Sequence, residues 1–312
     1  MNHVTVIGLG TMGHGIAQAF AACGCRVRTY DAETLVRESA LDRIRTNLDA
    51  FQEAGLLDAP GAASILERIE IHDDEIDALK DAQFVTEAVV ERLDVKQALF
   101  ARIEGHVSDD CILTSNTSSF PMTQIGRDMR RPTRALNTHW FNPPHIVPLV
   151  EVVPGEHTEE PVVAATMDLL RRAGKTAIRL NREVPGFLVN RVQIAMLREL
   201  VDMIERGVAS AEDIDEALRA SIGFRMAAIG QLLVNDFAGL DVVLSVYRNL
   251  IQDMKSDREP HDLVKRLVAD GDFGAKTGAG LFSYEDHSVE DTMAVRDRRY
   301  LELLKLRQAD RL

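Results

Sequence analysis

The chain has 312 residues, more than one ordinary core accommodates, so two domains are expected. Hydrophobic residues make up 46% and charged residues 27%, the balance of a soluble globular protein. A net charge of −13 argues against nucleic acid or an anionic membrane surface as partner, and any polyanionic cofactor must meet a locally positive site. No run of about 18 apolar residues occurs. The first strand begins by Val4, with no signal peptide, so a cytoplasmic, reducing location is expected. Cys23, Cys25 and Cys111 match neither a zinc spacing nor a disulfide framework. Cys23 and Cys25 end a predicted helix and read as small apolar packing residues.

Val4-Thr5-Val6-Ile7 is a short β-branched run. Gly8-Leu9-Gly10-Thr11-Met12-Gly13 follows at once, and His14 to Ala22 reads as a helix. This is a GxGxxG motif set between a strand and a helix. Gly8 permits the turn, Gly10 lets a pyrophosphate approach the backbone, and Gly13 lets helix and strand pack closely. The helix N-terminus adds amide donors and partial positive charge, which is how an acidic chain can hold an anion locally. Arg26-Val27-Arg28-Thr29-Tyr30-Asp31 is the second strand. A carboxylate about 20 residues past the glycines accepts the ribose hydroxyls of NAD and repels a 2′-phosphate, so Asp31 selects NAD over NADP. The competing reading of Asp31 is a helix cap with no ligand.

Residues 33 to 70 read as one or two amphipathic helices, with turn residues at Asp58-Ala59-Pro60-Gly61. Phe84 to Val90 is a buried strand, with Glu91 and Lys96 on the following loop and helix start. Cys111 to Ser115 and Arg134 to His139 are further strands, the first followed by Asn116-Thr117-Ser118-Ser119. Ligands bind beyond the carboxyl ends of strands in open α/β sheets, so Ser118 and His139 should face a cofactor crevice. Pro143-Pro144 forces a turn, and Pro148 to Val153 is extended again. Two strands joined there could set His139 beside Glu151, twelve residues on, giving an oriented and charge-compensated base. The bland alternative is a satisfied core histidine and a surface carboxylate.

Ala164 to Ala173 reads as a helix stopped by Gly174, and Lys175 to Leu180 as the last strand. Pro185-Gly186 breaks the chain, placing the domain boundary near Arg182–Pro185. Residues 1–183 then form a doubly wound α/β domain of Rossmann type, and 184–312 an all-helical domain. Phe187 to Arg206 is apolar on almost every side and should be buried all round, in a domain core or a subunit interface. Asn190 is an isolated polar residue in its first turn. Ser210 to Asp213 resembles a capping box, and Leu232 to Ile251 and His261 to Ala269 supply more helix. Lys276 to Phe282 is a glycine-rich turn into an extended segment, and the tail from Val289 a solvated helix.

Over nearly its full length the chain resembles the 3-hydroxyacyl-CoA dehydrogenase family. The resemblance rests on motifs in order: Gly8–Gly13, Thr86-Glu87-Ala88-Val89-Val90-Glu91 with Lys96, and Ser115-Asn116-Thr117-Ser118-Ser119. His139 with Asn142 and Glu151, Pro185-Gly186-Phe187-Leu188-Val189-Asn190-Arg191, Ala238-Gly239-Leu240-Asp241 and Lys276-Thr277-Gly278 complete it. The resemblance implies that His139 is the general base and Glu151 its orienting partner. It implies that Ser118 and Asn190 contact the reacting substrate oxygen. Glu91, Lys96, Ser118, Asn142 and Lys276 would line the NAD site with Asp31 and Gly8 to Gly13. It further implies a small-molecule substrate, a role in fatty acid metabolism, and a homodimer formed through the helical domain.

Two departures concern the substrate. CoA-using members usually carry a Met-Gly-Pro-Phe-like run where this chain reads Gly223-Phe224-Arg225-Met226-Ala227-Ala228-Ile229-Gly230. That run, and the Asn142-Pro143-Pro144 turn, are similar to relatives acting on free carboxylates, such as carnitine, gulonate or pyridine-carboxylate dehydrogenases. Arg225 reaching the crevice would pair with such a carboxylate, because a guanidinium fork matches its geometry; the competing reading is a helix-terminal surface arginine. The first lysine in the chain is Lys80, so the helical insert lacks the lysine that CoA users tend to place there. A β-hydroxyacid dehydrogenase of the glyoxylate-reductase type would need a catalytic lysine where Asn190 stands. A crystallin-like, non-enzymatic role would not require His139, Glu151, Ser118 and Asn190.

Overall fold

The computed structural model describes residues 1–284 and 288–309, so the last residues of the charged tail lie outside the described residues. The chain divides into two compact units, Met1–Asn190 with Asp297–Lys305, and Arg191–Arg296 with the residues from Leu306. The expected boundary near residues 182–185 lies a few residues before the change of unit.

The first unit is built on one eight-stranded sheet in the order β3-β2-β1-β4-β5-β6-β7-β8. Its strands are β1 His3–Ile7, β2 Arg26–Tyr30, β3 Ile69–Ile71, β4 Phe84–Glu87, β5 Ile112–Ser115, β6 Ala135–Trp140, β7 Leu149–Pro154 and β8 Thr176–Arg179. All neighbours run parallel except β6 and β7, which are antiparallel. The helices between them are α1 Gly13–Ala22, α2 Thr34–Glu53, α3 Ala59–Leu66, α4 Glu75–Leu79, α5 Leu93–Ile103, α6 Met122–Ile125 and α7 Glu160–Arg172. The expected α/β fold of Rossmann type is present, with β3 and α4 as additions too short for periodicity to reveal.

Both sheet faces are covered, which is why the strands read as continuous apolar runs. Val4, Val6, Phe84, Leu136 and Trp140 pack in one cluster with Ile16 and Phe20 of α1. The alternate residues Ile7, Val85, Leu113 and Ala135 pack in another with Leu99 and Phe100 of α5. Phe20 meets Phe84 and Trp140 edge-on, at ring separations of 5.7 and 5.4 Å. Asp58, read as a turn residue, instead caps α3, its side chain accepting from the Gly61 amide at 2.8 Å.

The second unit is helical: α8 Val189–Glu205, which begins in the first unit, then α9 Ala211–Leu218, α10 Phe224–Ala228, α11 Gln231–Ala238, α12 Leu240–Leu250 and α13 Asp262–Asp270. Ser210 caps α9 through the Asp213 amide, as its sequence indicates. The terminal helix α14, Val289–Gln308, gives Asp297–Lys305 to the first unit, and Leu301 is buried. That stretch of tail is therefore not wholly solvated.

Of the two settings expected for the long apolar helix, a core of the chain itself does not bury it. The helix read as buried in a domain core or a subunit interface buries only Val201 and Asp202 of Val189–Glu205 within the chain. Val192 is 58% and Ile194 64% exposed. Apolar content marks a surface that must be covered, but not whether the cover belongs to the same chain.

Candidate active site

The glycine turn behaves as its spacing requires. Gly8 has φ +90°, and a Cβ there would lie 2.6 Å from the Ala88 carbonyl oxygen. A Cβ on Gly13 would lie 1.7 Å from the Gly8 carbonyl oxygen, so only glycine allows the helix to start so close to the strand. Gly10 has open space on the same test, which leaves its backbone approachable by a phosphate. Leu9 is buried, Thr11 exposed and Met12 half-buried at the start of α1. Asp31 accepts the Leu9 amide through Oδ2 at 2.6 Å and the Glu33 amide through Oδ1 at 2.9 Å. The carboxylate thus stands against the glycine turn at the end of β2, and these residues fit an NAD-type dinucleotide. Asp31→Ala should raise the KM for NAD and narrow the preference over NADP, and unchanged preference in steady-state kinetics would remove the ribose contact.

The histidine and carboxylate meet. In the β6–β7 pair His139 is the register partner of Glu151. His139 Nδ1 lies 2.7 Å from Glu151 Oε2, with both side chains buried. Glu151 Oε1 accepts the amides of Leu188 and Val189, at 3.1 and 2.9 Å. These amides belong to the start of α8, where unpaired donors and the helix dipole favour an anion. The Pro185-Gly186-Phe187 break produces this geometry: Gly186 has φ +75° and Phe187 φ +50°. Phe187 is fully buried, its ring centroid 5.4 Å from that of His139, while Phe141 stands 4.5 Å away. With Nδ1–H donated to Glu151, Nε2 is the accepting nitrogen, and it lies 3.2 Å from the Ser118 hydroxyl. Asn190 follows the two donating amides on α8 and is half-buried.

A buried ionic network supports Ser118. Lys96 Nζ contacts Glu87 Oε1 at 2.5 Å and Glu91 Oε2 at 3.3 Å, and Lys96 and Glu87 are essentially inaccessible. Glu87 also accepts the Ser115 hydroxyl at 2.6 Å and the Val89 amide at 2.8 Å. Glu91 accepts the Thr117 hydroxyl at 2.6 Å, the Ser119 hydroxyl at 2.7 Å and the amides of Ser118 and Ser119. Burial alone pushes Glu91 up, but the Thr117 and Ser119 hydroxyls, Lys96 and the Ser118 amide outweigh it and hold the carboxyl below its ordinary value. Sequence reasoning gave Glu87 no role of its own. The available signal was the one charged residue in a strand of otherwise uncharged, buried side chains, which needs a partner.

The turn after His139 has its own anchor. Asn142, exposed, precedes a cis peptide bond to Pro143. Lys175 Nζ donates to the carbonyls of Pro144 and Val147 at 2.6 and 3.0 Å and lies 5.4 Å from the centre of the Trp140 ring. Burial pushes the Lys175 ammonium down from 10.5 to about 8. Between those values the unfolded chain holds the proton and the folded chain does not. Stability should therefore rise as pH increases from about 8 to 10.5, and that gain is lost as pH falls back through 8. Denaturant midpoints across this window should show the rise, and Lys175→Met should flatten it.

Arg225 and Lys276 belong to the second unit. Arg225 is exposed on α10, with its Nε donating to the Ser221 carbonyl at 3.3 Å. Lys276 lies in a short 3₁₀ turn, its Nζ 5.0 Å from the centre of the Phe273 ring.

A doubly wound sheet with this glycine turn and acidic strand end defines an NAD-binding protein of Rossmann type. Comparison with known proteins narrows the class. Residues 3–184 match the NAD-binding domain of 3-hydroxyacyl-CoA dehydrogenase, and residues 186–284 its C-terminal domain. The chain is 36% identical to 5-formyl-3-hydroxy-2-methylpyridine 4-carboxylate 5-dehydrogenase of Mesorhizobium japonicum, over 99% of this chain and 98% of that one. A crystal structure of such a dehydrogenase, described as an NAD⁺-dependent dismutase, superposes with a TM-score of 0.89, at 34% identity over 99% of this chain and 98% of that one. The (S)-3-hydroxybutyryl-CoA dehydrogenase of Ralstonia eutropha superposes with a TM-score of 0.75, at 33% identity over 92% of this chain and all of that one. The chain belongs to the 3-hydroxyacyl-CoA dehydrogenase family, and it is an NAD-dependent dehydrogenase acting on CH–OH groups.

Proposed function

We propose that the chain oxidises a hydroxyl on a small free carboxylate, with His139 as general base. The observation that carries the chemistry is the buried imidazole whose Nδ1 is on Glu151 and whose Nε2 turns to Ser118. A secondary alcohol gives up hydride only as its hydroxyl proton leaves, and His139 Nε2 takes that proton. Glu151 holds the tautomer and offsets the imidazolium that forms, while its second oxygen stays on the α8 amides. In the reverse direction His139 donates. Ser118 and Asn190 contact the reacting oxygen. Asp31 and the glycine turn hold NAD together with Glu91, Asn142 and Lys276, and Lys96 braces Glu91 from beneath. NAD, when bound, supplies the hydride acceptor.

Two observations support a free carboxylate. The chain superposes along nearly its whole length on a pyridine-carboxylate dehydrogenase, and more closely than on the CoA-thioester enzyme of R. eutropha. The run from Gly223 to Gly230 also lacks the Met-Gly-Pro-Phe-like sequence of CoA users, and Arg225 within it supplies a guanidinium for the carboxylate. NADH formation should be measured side by side with 3-hydroxybutyryl-CoA and a panel of hydroxy acids. The panel includes a formyl pyridine-carboxylate, whose hydrate presents the same CH–OH. A higher kcat/KM for a free acid is expected; a higher value for the thioester would restore the CoA reading, which the family itself favours.

The second unit acts as a homodimer surface in this reading. Val192, Ile194, Leu232, Phe237, Leu240 and Tyr247 are each more than half exposed, and an apolar cavity of about 640 Å³ opens beside α8. Apolar side chains at this density are typical of a surface covered by a partner. Sedimentation should give twice the chain mass at micromolar concentration, and a stable monomer would overturn the assignment.

A further inference from the structure

We propose that Cys23 and Cys25 form a reversible thiol–disulfide site that reacts with small disulfides of the glutathione type. Cys23 ends α1, Gly24 has φ +88°, and Cys25 leads into β2. The Gly24 amide donates to the Ala21 carbonyl at 3.0 Å and the Cys25 amide to the Phe20 carbonyl at 3.2 Å. That paired closure reverses the chain within one residue and brings the two side chains together. Their sulfurs lie 3.6 Å apart. A disulfide is ~2.05 Å long, so closure needs a shift of about 1.5 Å, within the reach of side-chain rotation.

The two thiols differ in the way exchange requires. Cys23 is half-buried and Cys25 buried. Cys23 Sγ contacts the Phe20 carbonyl at 3.1 Å, and Arg172 Nη2 donates to Cys25 Sγ at 3.2 Å and to the Met1 carbonyl. The hydrogen bond it shares with Cys25 pulls Cys23 down to about 6 against the opposing effect of burial, with Arg172 assisting. The same hydrogen bond pushes Cys25 up. Cys23, the more accessible of the two, is therefore assigned as the attacking thiol and Cys25 as the resolving one. Cys111 is an internal control, a fully buried thiol pushed up to about 12 by burial.

The exchange balances. The Cys23 thiolate attacks one sulfur of glutathione disulfide, the S–S bond breaks, and one glutathione leaves as thiolate and takes a proton. Cys25 loses its proton to solvent and attacks Cys23 Sγ, expelling the second glutathione. The protein dithiol is oxidised by two electrons and glutathione disulfide is reduced to two thiols. The pair lies at the end of α1 remote from the glycine turn, so turnover should not change.

Full-length protein is incubated with excess glutathione disulfide and followed by thiol titration, intact mass and peptide mapping. Two of the three thiols should disappear, with no glutathione retained and a Cys23–Cys25 link that dithiothreitol reverses. Cys25→Ser should stop at one glutathione retained on Cys23, and Cys111→Ser should behave as the parent. Three persisting thiols, stable glutathionylation of the parent, or reaction at Cys111 would overturn the proposal. If Cys25→Ser does not fold, alkylation of the parent with iodoacetamide at neutral pH decides. Cys23 should label at least ~10-fold faster than Cys111, as a lowered thiol does; equal rates would refute the site.

Discussion

His139→Ala is expected to reduce kcat by ~10²–10⁴-fold, the usual contribution of a positioned base, while the dissociation constant for NAD barely moves. In the proposed reading the imidazole accepts the substrate proton, whereas the glycine turn and Asp31, assigned there to the cofactor, lie between β1 and α1 and just past the end of β2. Removing the ring also leaves Glu151 Oε2 without its 2.7 Å partner, but no counter-charge is lost, and Oε1 keeps its two amides. The loss should therefore appear in turnover more than in folding. Fluorescence titration with NADH beside steady-state kinetics separates these quantities, and a variant with full activity would remove His139 from the chemistry.

Lys96→Met is expected to produce the largest loss of stability, about 3–5 kcal/mol, because it leaves a buried carboxylate without its counter-charge. Glu87 is fully buried, and Lys96 supplies its nearest cation at 2.5 Å. The Ser115 hydroxyl and Val89 amide cannot compensate a full charge at that depth. Glu91 loses its cation as well, and Glu91 positions Ser118 beside His139, so turnover should fall along with stability. Denaturant midpoints measure the first effect. The double variant Glu87→Gln/Lys96→Met should recover a large part of it, since neither buried charge remains. A single variant as stable as the parent would show that the pair contributes nothing.

Much of the site could be inferred from residue order. Strand, glycine turn, helix and a terminal aspartate form a local arrangement, and each element is specified by its own few residues. The His139–Glu151 pair was accessible for the same reason: two short strands and one proline turn fix their register. The features that escaped join residues far apart in the chain. The amides of Leu188 and Val189 reach Glu151 across 37 and 38 positions, and Ser115 reaches Glu87 across 28.

Sequence by itself determined the doubly wound sheet and the cofactor class, because these follow from short-range patterns of glycine, proline and apolar alternation; the family came from the resemblance of motifs in order, and the pairing of His139 with Glu151 was one of two open readings. Tertiary structure alone decided that Lys96 is the cation of a buried ionic network, that the helix starting at Val189 presents apolar side chains outward, and that the sulfurs of two cysteines read as packing lie 3.6 Å apart. The physical reason is common to the three. Charge compensation, solvent exposure and thiol reactivity depend on what surrounds a side chain in space, and neighbours in sequence supply only part of that surrounding.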